Sequence, residues 1–439
     1  MKESRKYGIL VGGGPAPGIN SVLSSVTIEA TKRGHTVIGI YDGFQHLMHG
    51  EKRIEFLSIP KISRIHLHGG SILRTSRANP TKDERLLRNT VETLRDLQIT
   101  HLITIGGDDT AFGASRVAEY ASYTGHPLFH AHVPKTIDND LPLPPGIPTF
   151  GFETARSEGA RLVSTLYQDA RTSGRWFVVV AMGRKTGHLA LGIGKAAGAT
   201  VTLIPEEFQG RSSLKLIVDI IAGSIIKRLA SGRRHGVAIV AEGFLEAISQ
   251  EELKALIRAE QFELDEYGHI RLAEINFSDI IKYVLKRRLE EFGVKITIVD
   301  QELGYELRCV DPNAYDIDYT RNLGFAAVDF LESGGTGAII SIQGDRIVPI
   351  PFKDLVDPQT GRIPVRYVDI NSLSFRIARE YMIRLDRSDF EDPDNLRRLA
   401  AVCSITPERF RAEFEHVLDA GAPQEERQIA AHSEKSLSD

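Results

Sequence analysis

The feature that most restricts this chain is a repeated unit: a short apolar run, then a polar or glycine-rich loop, then a stretch with helical spacing of hydrophobic residues. Residues 7–11 lead into Gly12-Gly13-Gly14-Pro15-Ala16-Pro17-Gly18 and a helical pattern over 19–33, followed by a strand at 36–41. A helix at 82–97 precedes the strand 101–105, the loop Gly106-Gly107-Asp108-Asp109-Thr110 and another helix, then an apolar run at 128–133. The pattern resumes with a helix at 153–171, the strand 176–181 and the loop Met182-Gly183-Arg184-Lys185-Thr186-Gly187-His188, and it continues to Glu242-Gly243. Strands joined through helices form a parallel sheet covered on both faces. The expected fold class is therefore α/β, with two doubly wound, mostly parallel three-layer αβα domains. Such sheets bind ligands at the carboxyl ends of their strands, which is where these polar loops fall.

At 439 residues the chain exceeds one ordinary core, so at least two domains are expected. The boundaries read as 1–150, joined by part of 307–354; 151–306; and a C-terminal helical segment, 355–439, ending in a polar tail. A net charge of −4 argues against a nucleic-acid or anionic-membrane surface as the main partner. No apolar run reaches the roughly 18 residues of a membrane span, and the amino terminus leads into a strand instead of a signal-peptide core, so a cytoplasmic location is expected. Cys309 and Cys403 have no spacing that suggests a disulfide framework or zinc site.

The chemistry concentrates in Pro134-Lys135-Thr136-Ile137-Asp138-Asn139-Asp140, directly after an apolar run. An extended loop would present Asp138 and Asp140 on one side. One could take a proton from a hydroxyl while the other binds metal or orients the first, and Lys135 supplies a mobile charge for a phosphate. The bland alternative is a turn network of Asx type. Asp108 and Asp109 after two glycines suit a hard cation such as magnesium, although an aspartate there can also simply cap the following helix. Gly12-Gly13-Gly14 lets the backbone approach a phosphate, but it matches neither a P-loop nor a dinucleotide fingerprint. Arg77, Arg175, Arg184 and Arg308 stand near strand ends and together could clamp a transferring phosphoryl group. Gly192-Ile193-Gly194-Lys195 reads as helix packing, and Lys286-Arg287-Arg288 as a solvated helix face.

These residues carry a resemblance to the phosphofructokinases over about 7–350, through GGGPAPGIN (12–20), IYDGF (40–44), GGSILRTSR (69–77), GGDDT (106–110), PKTIDND (134–140), MGRKTGHLA (182–190), AEG (241–243) and LGYELR (303–308). The resemblance implies a 1–150 domain that binds the phosphoryl donor and a 151–306 domain that binds the sugar phosphate. It makes Asp138 the base for the sugar 1-hydroxyl, with Thr136 and Asp140 completing its loop. It gives Asp108 to Mg2+ and Arg184 to the charge on the transferring group. Gly13 and Arg77 would contact donor phosphates, and Met182, Gly183, Glu242, Tyr305 and Arg308 would bind fructose 6-phosphate. Arg175 aligns with an arginine that crosses a subunit interface, which implies a homodimer or homotetramer.

ATP-using members carry glycine where this chain has Asp109, and often where it has Lys135. Aspartate adds bulk and charge where an α-phosphate would lie, and lysine holds a short anion, so the pair resembles the pyrophosphate-dependent branch. The expected reaction is reversible phosphoryl transfer from pyrophosphate to fructose 6-phosphate, in glycolysis or gluconeogenesis. The alternatives are an ATP-dependent enzyme, in favour of which Tyr41 is retained, or action on sedoheptulose 7-phosphate. Departures from the family pattern are Arg74 for a glycine, Tyr305 for a histidine, Cys309-Val310 for a glycine pair, and Val299 for a second cross-subunit arginine, for which nearby Lys295 could substitute.

Overall fold

The computed structural model describes residues 4–208, 210, 212–249, 251–252, 276–357, 359 and 363–418. Residues 253–275, within the 151–306 region, and the polar tail from 420 lie outside the described residues. In chain order the strands are β1 (Lys6–Val11), β2 (Thr36–Ile40), β3 (Ile54–Leu57), β4 (His101–Gly106), β5 (Phe129–Pro134), β6 (Trp176–Ala181), β7 (Val201–Leu203), β8 (Gly236–Ala241), β9 (Ile298–Leu303), β10 (Ala338–Ile339), β11 (Ile342–Gln343), β12 (Arg346–Ile347) and β13 (Ile350–Pro351).

The chain divides into two compact units, 1–155 with 305–366 and 156–304 with 367–439. The first holds a seven-stranded sheet in the order β13-β10-β5-β4-β1-β2-β3. Its inner pairs are parallel, and its two edge pairs, β2 with β3 and β10 with β13, are antiparallel. The inner strands are buried on both faces, as their continuous apolar runs require. One face packs on helices Ile19–Lys32 and Ala314–Glu332, with Val22, Leu23, Leu323 and Ala327 fully buried between. The other packs on Glu84–Asp96 and Asp108–Tyr123 through Val91, Leu94, Ala114 and Val117. The second unit holds the all-parallel sheet β7-β8-β6-β9, contacted by helices His188–Ala197, Leu214–Ala230 and Phe277–Glu291. At the amino ends of β6 and β8 the indole of Trp176 fills the place of a side chain at Gly236, where an added Cβ would meet it at 2.6 Å.

Several elements differ from the sequence expectation. The sequence suggests a strand at 295–300, but β9 runs three residues later, because this edge strand carries Asp300, Gln301 and Glu302 on a partly exposed surface. β3 was not anticipated; it is a four-residue edge strand. The region after 354 forms no separate segment. Residues up to Arg366 stay with the first unit, while Tyr367 onward packs into the second through buried pairs such as Arg384 with Glu207 and through Lys227 with Asp389 at 2.6 Å. Arg288 is also not a solvated residue: its Nε lies 2.7 Å from Asp219, a fully buried carboxylate that also meets Lys215 and His416. By contrast, Gly194 is a packing glycine as expected, since a Cβ there would stand 2.0 Å from Thr202 Oγ1.

The chain segment leading from the acidic loop into helix Phe152–Ser173 is pinned by Asp316, whose carboxylate is fully buried. It accepts the Gly151 N–H at 2.9 Å, the Thr154 N–H at 2.7 Å and the Thr154 hydroxyl at 2.5 Å. Removing it strands three buried donors, so Asp316→Ala should lower the unfolding free energy by about 3 kcal/mol or more. Asp316→Asn, which keeps one acceptor oxygen, should lose less in urea denaturation.

Candidate active site

The register of β1, β4 and β5 aligns three loops. Val11 pairs with Ile105, and Ile105 with Val133, so Gly12, Gly107 and Lys135 emerge side by side. The Gly12 N–H donates to Ile105 O and the Lys135 N–H to Gly106 O, both at 2.8 Å. Gly12 must lack a side chain, since a Cβ would stand 2.4 Å from Thr110 Oγ1. Gly13 has φ 82 and its N–H bonds Ser76 O at 2.8 Å, which ties the first glycine loop to the segment that carries Arg77. Asn20 holds the start of that segment: its amide donates to the His68 and Gly69 carbonyls and its oxygen accepts from the Ile72 N–H.

Lys135 is only 4% exposed. Its ammonium donates to Gly14 O and lies 3.2 Å from where a Cβ on Gly13 would stand. Burial lowers its pKa to about 8; Asp138 and Asp140 oppose that shift, while Arg308 and Arg77 add to it. Four charges therefore act on one ammonium at the glycine loop. Arg308 lies close to Gly14 and stacks over the Tyr305 ring at 5.0 Å, with Tyr305 itself exposed.

The acidic loop is bent, not extended. Asn139 takes φ 58, the left-handed region that asparagine tolerates better than most residues. The bend is held by Asn139 Oδ1 accepting the Thr149 N–H at 3.0 Å, and Thr149 Oγ1 donates to Thr136 O at 2.7 Å. Thr136 Oγ1 in turn accepts the Asp138 N–H at 3.0 Å. The guanidinium of Arg366 lies against the same loop and donates to its carbonyls. The sequence offered no signal for Arg366: it lies more than 200 positions from its partners, and those partners are mostly main chain.

The helix that follows the second glycine loop starts at Asp108, with Gly107 at the cap position and no side-chain cap bond. Neither aspartate is the N-cap; both lie in the first helical turn, where the exposed helix N–H groups favour anions. Under the loop runs a buried polar ladder. His132 Nε2 meets Gly106 O at 2.9 Å, its Nδ1 meets Thr104 Oγ1 at 2.8 Å, and Thr104 meets His130 Nε2 at 2.9 Å. Since Gly106 O can only accept, His132 carries its proton on Nε2, Thr104 donates to its Nδ1, and Thr104 accepts from His130. Burial pushes both imidazoles down to about 3, so both are neutral supports.

In the second unit, Glu242 Oε2 accepts the N–H groups of Gly183 and Arg184, each at 3.0 Å. Met182 is anchored by its N–H to Leu303 O at 2.8 Å. Arg184 is exposed with φ 43, so this carboxylate fixes a tight turn that projects the arginine. Glu206, which sequence reading missed, accepts the Gly187 N–H at 2.9 Å and the Val368 N–H at 3.1 Å, and burial raises its pKa. Arg175 does not join this group. It precedes β6 while Met182 follows it, and six strand residues separate the two ends by roughly 20 Å. Its near partner is Asp169, at 3.5 Å.

Arg74 occupies a left-handed position at φ 57, where glycine would be unstrained. From there its guanidinium lies 6.0 Å from the centre of the Tyr41 ring and 3.8 Å from Asp42.

Comparison with known proteins agrees with this architecture. A protein from Thermotoga maritima named pyrophosphate--fructose 6-phosphate 1-phosphotransferase is 52% identical over 420 residues, covering 95% of this chain and 99% of that protein. One of the same name from Naegleria fowleri is 49% identical over 426 residues, covering 95% and 97%. The crystal structure of a pyrophosphate-dependent phosphofructokinase from Marinobacter aquaeolei superposes with a TM-score of 0.63 at 18% identity, covering 92% of each chain, and supports the fold. Residues 6–331 match the phosphofructokinase family, and the chain belongs to it.

Proposed function

We propose that this protein transfers a phosphoryl group from pyrophosphate to the 1-hydroxyl of fructose 6-phosphate, giving fructose 1,6-bisphosphate and phosphate, and that it also runs the reverse reaction. The observation that carries the reading is the ammonium of Lys135, buried at the Gly12–Gly14 loop among Asp138, Asp140, Arg77 and Arg308. A short dianionic or trianionic ligand satisfies such a cation without needing room for a nucleoside. Asp109, exposed in the first turn of the neighbouring helix, places a negative charge that a longer polyphosphate would meet. Arg74 over Tyr41 covers one aromatic face that a nucleobase could otherwise stack on.

In this reading Asp138 takes the proton as the sugar oxygen attacks the terminal phosphorus, and the bond to the leaving phosphate breaks. Thr136 and Asp140 hold the loop that carries the base. Arg184 meets the charge that spreads over the transferring oxygens, and Met182, Gly183, Glu242, Tyr305 and Arg308 position the sugar phosphate. Gly13 and Arg77 face the donor. The 1–150 region is thus the donor domain and 151–306 the sugar-phosphate domain.

Asp108 is a hard oxygen donor, and among the described residues no cluster of three or more His, Cys, Asp or Glu could cage a metal. That donor set fits magnesium, which usually takes one or two carboxylates and completes its shell with phosphate oxygens and water. When bound, the ion neutralises phosphate charge. By its likeness to the family, Arg175 would serve the site of a neighbouring copy in a homo-oligomer, and its position at the amino end of β6, away from Met182, is compatible with that reading. Among the described residues no helix is long and apolar enough to cross a membrane.

The purified protein with magnesium and fructose 6-phosphate should form fructose 1,6-bisphosphate from pyrophosphate; turnover with ATP alone would refute the donor assignment. Asp138→Ala should lower kcat by roughly 10²- to 10⁴-fold, as loss of a general base does. Replacing Asp109 and Lys135 together by glycine should move the ratio of kcat/KM values towards ATP, and an unchanged ratio would mean that the donor is selected elsewhere.

A further inference from the structure

Arg366 lies beyond the stretch that matches the family, and every donor of its side chain is spent on the loop that carries the two aspartates. Nε and Nη2 both donate to Asn139 O, at 3.1 and 2.9 Å. Nη1 donates to Leu143 O at 3.1 Å and Ile147 O at 2.8 Å, and Nη2 also meets Asn139 Oδ1. A guanidinium has five N–H donors, so these five bonds exhaust it. The main-chain N–H of Arg366 adds a sixth bond, to Asp140 O at 2.8 Å.

The residue receiving three of these six bonds is the one that turns the chain. Asn139, at φ 58, separates Asp138 from Asp140, and its carbonyl and side-chain oxygen are both engaged by Arg366. Asparagine tolerates the left-handed region, and the contacts to its carbonyl and side-chain oxygen fix it there. The partners on the far side, Leu143 and Ile147, belong to the return limb of the same loop. One planar cation therefore staples the two limbs together. Lysine could not do the same, since it has three donors and no fork.

We propose that Arg366 is a positioning residue for phosphoryl transfer, its guanidinium fixing the 136–147 loop so that the Asp138 carboxylate stays aimed at the reacting hydroxyl. The claim rests on the assignment of Asp138 as the base. It concerns kcat more than substrate affinity, because the sugar phosphate and donor are gripped mainly by other residues while the loop sets the angle and distance of proton transfer. A displacement of about 1 Å in such a group is enough to cost on the order of 10²-fold in rate.

The test uses the full chain with pyrophosphate, fructose 6-phosphate and magnesium. Wild-type turnover reports on the proposed reaction by itself, and its absence would refute that reading alone. The ratio of variant to wild type, taken with whichever donor the wild type uses, reports on Arg366. Arg366→Ala should lower kcat by 10- to 100-fold with both KM values within about threefold. Guanidinium ion, at concentrations too low to unfold the wild type, should restore part of that kcat, whereas methylammonium should restore less. Arg366→Lys retains the charge and the main-chain bond, and should fold while still losing kcat. A folded Arg366→Lys or Arg366→Ala with wild-type kcat would overturn the proposal. A loss that appears only as raised KM, or one that guanidinium does not reverse in a folded variant, would overturn it as well.

Discussion

An ammonium held out of water at nearly complete burial needs negative or polar groups around it, and Lys135 has Asp138, Asp140 and the Gly14 carbonyl. Arg77 and Arg308 press in the opposite direction. The Lys135 ammonium and the Arg308 guanidinium thus both stand at the glycine loop, an arrangement that suits a compact phosphate anion. The parallel register of β1, β4 and β5 makes this possible by delivering the glycine loop, the aspartates of the Asp108 helix and Lys135 to one sheet edge. The closeness of these loops follows from strand order; no individual loop has to be long.

The support beneath this edge is polar and neutral where it is most buried. His130, Thr104 and His132 form a continuous ladder ending on Gly106 O, the same carbonyl that accepts the Lys135 N–H. Keeping both imidazoles uncharged avoids adding cations under a site already rich in them. In the second unit one carboxylate oxygen of Glu242 does comparable work for Gly183 and Arg184, so a residue read as a substrate contact also shapes the turn that presents the arginine.

The repeated strand, loop and helix was legible because inner parallel strands are buried on both faces and read as continuous apolar runs, as in Trp176–Ala181. Edge strands were less so: β9 carries three polar residues in succession, so its bounds were misplaced by three residues, and β3, four residues long, does not contrast with its flanks. The aspartates and lysine of 134–140 stood out in the sequence as candidates for chemistry, but the bend at Asn139 did not, since asparagine is compatible with both extended and left-handed backbone. Arg366 was invisible for a different reason. Its partners are carbonyl oxygens that any sequence supplies, so no residue type announces the contact.

The central claim is that a buried, charged Lys135 holds the phosphoryl donor, and the pH dependence of pyrophosphate binding tests it most directly. With burial setting the ammonium near pH 8, the lysine is charged below that value and loses its proton as the pH rises through it. Calorimetric titration with magnesium pyrophosphate from pH 7 to about 9.5 should show affinity falling above pH 8 in the wild type, beyond any change shared by Lys135→Met. A wild-type profile parallel to that of Lys135→Met across this range would contradict the account.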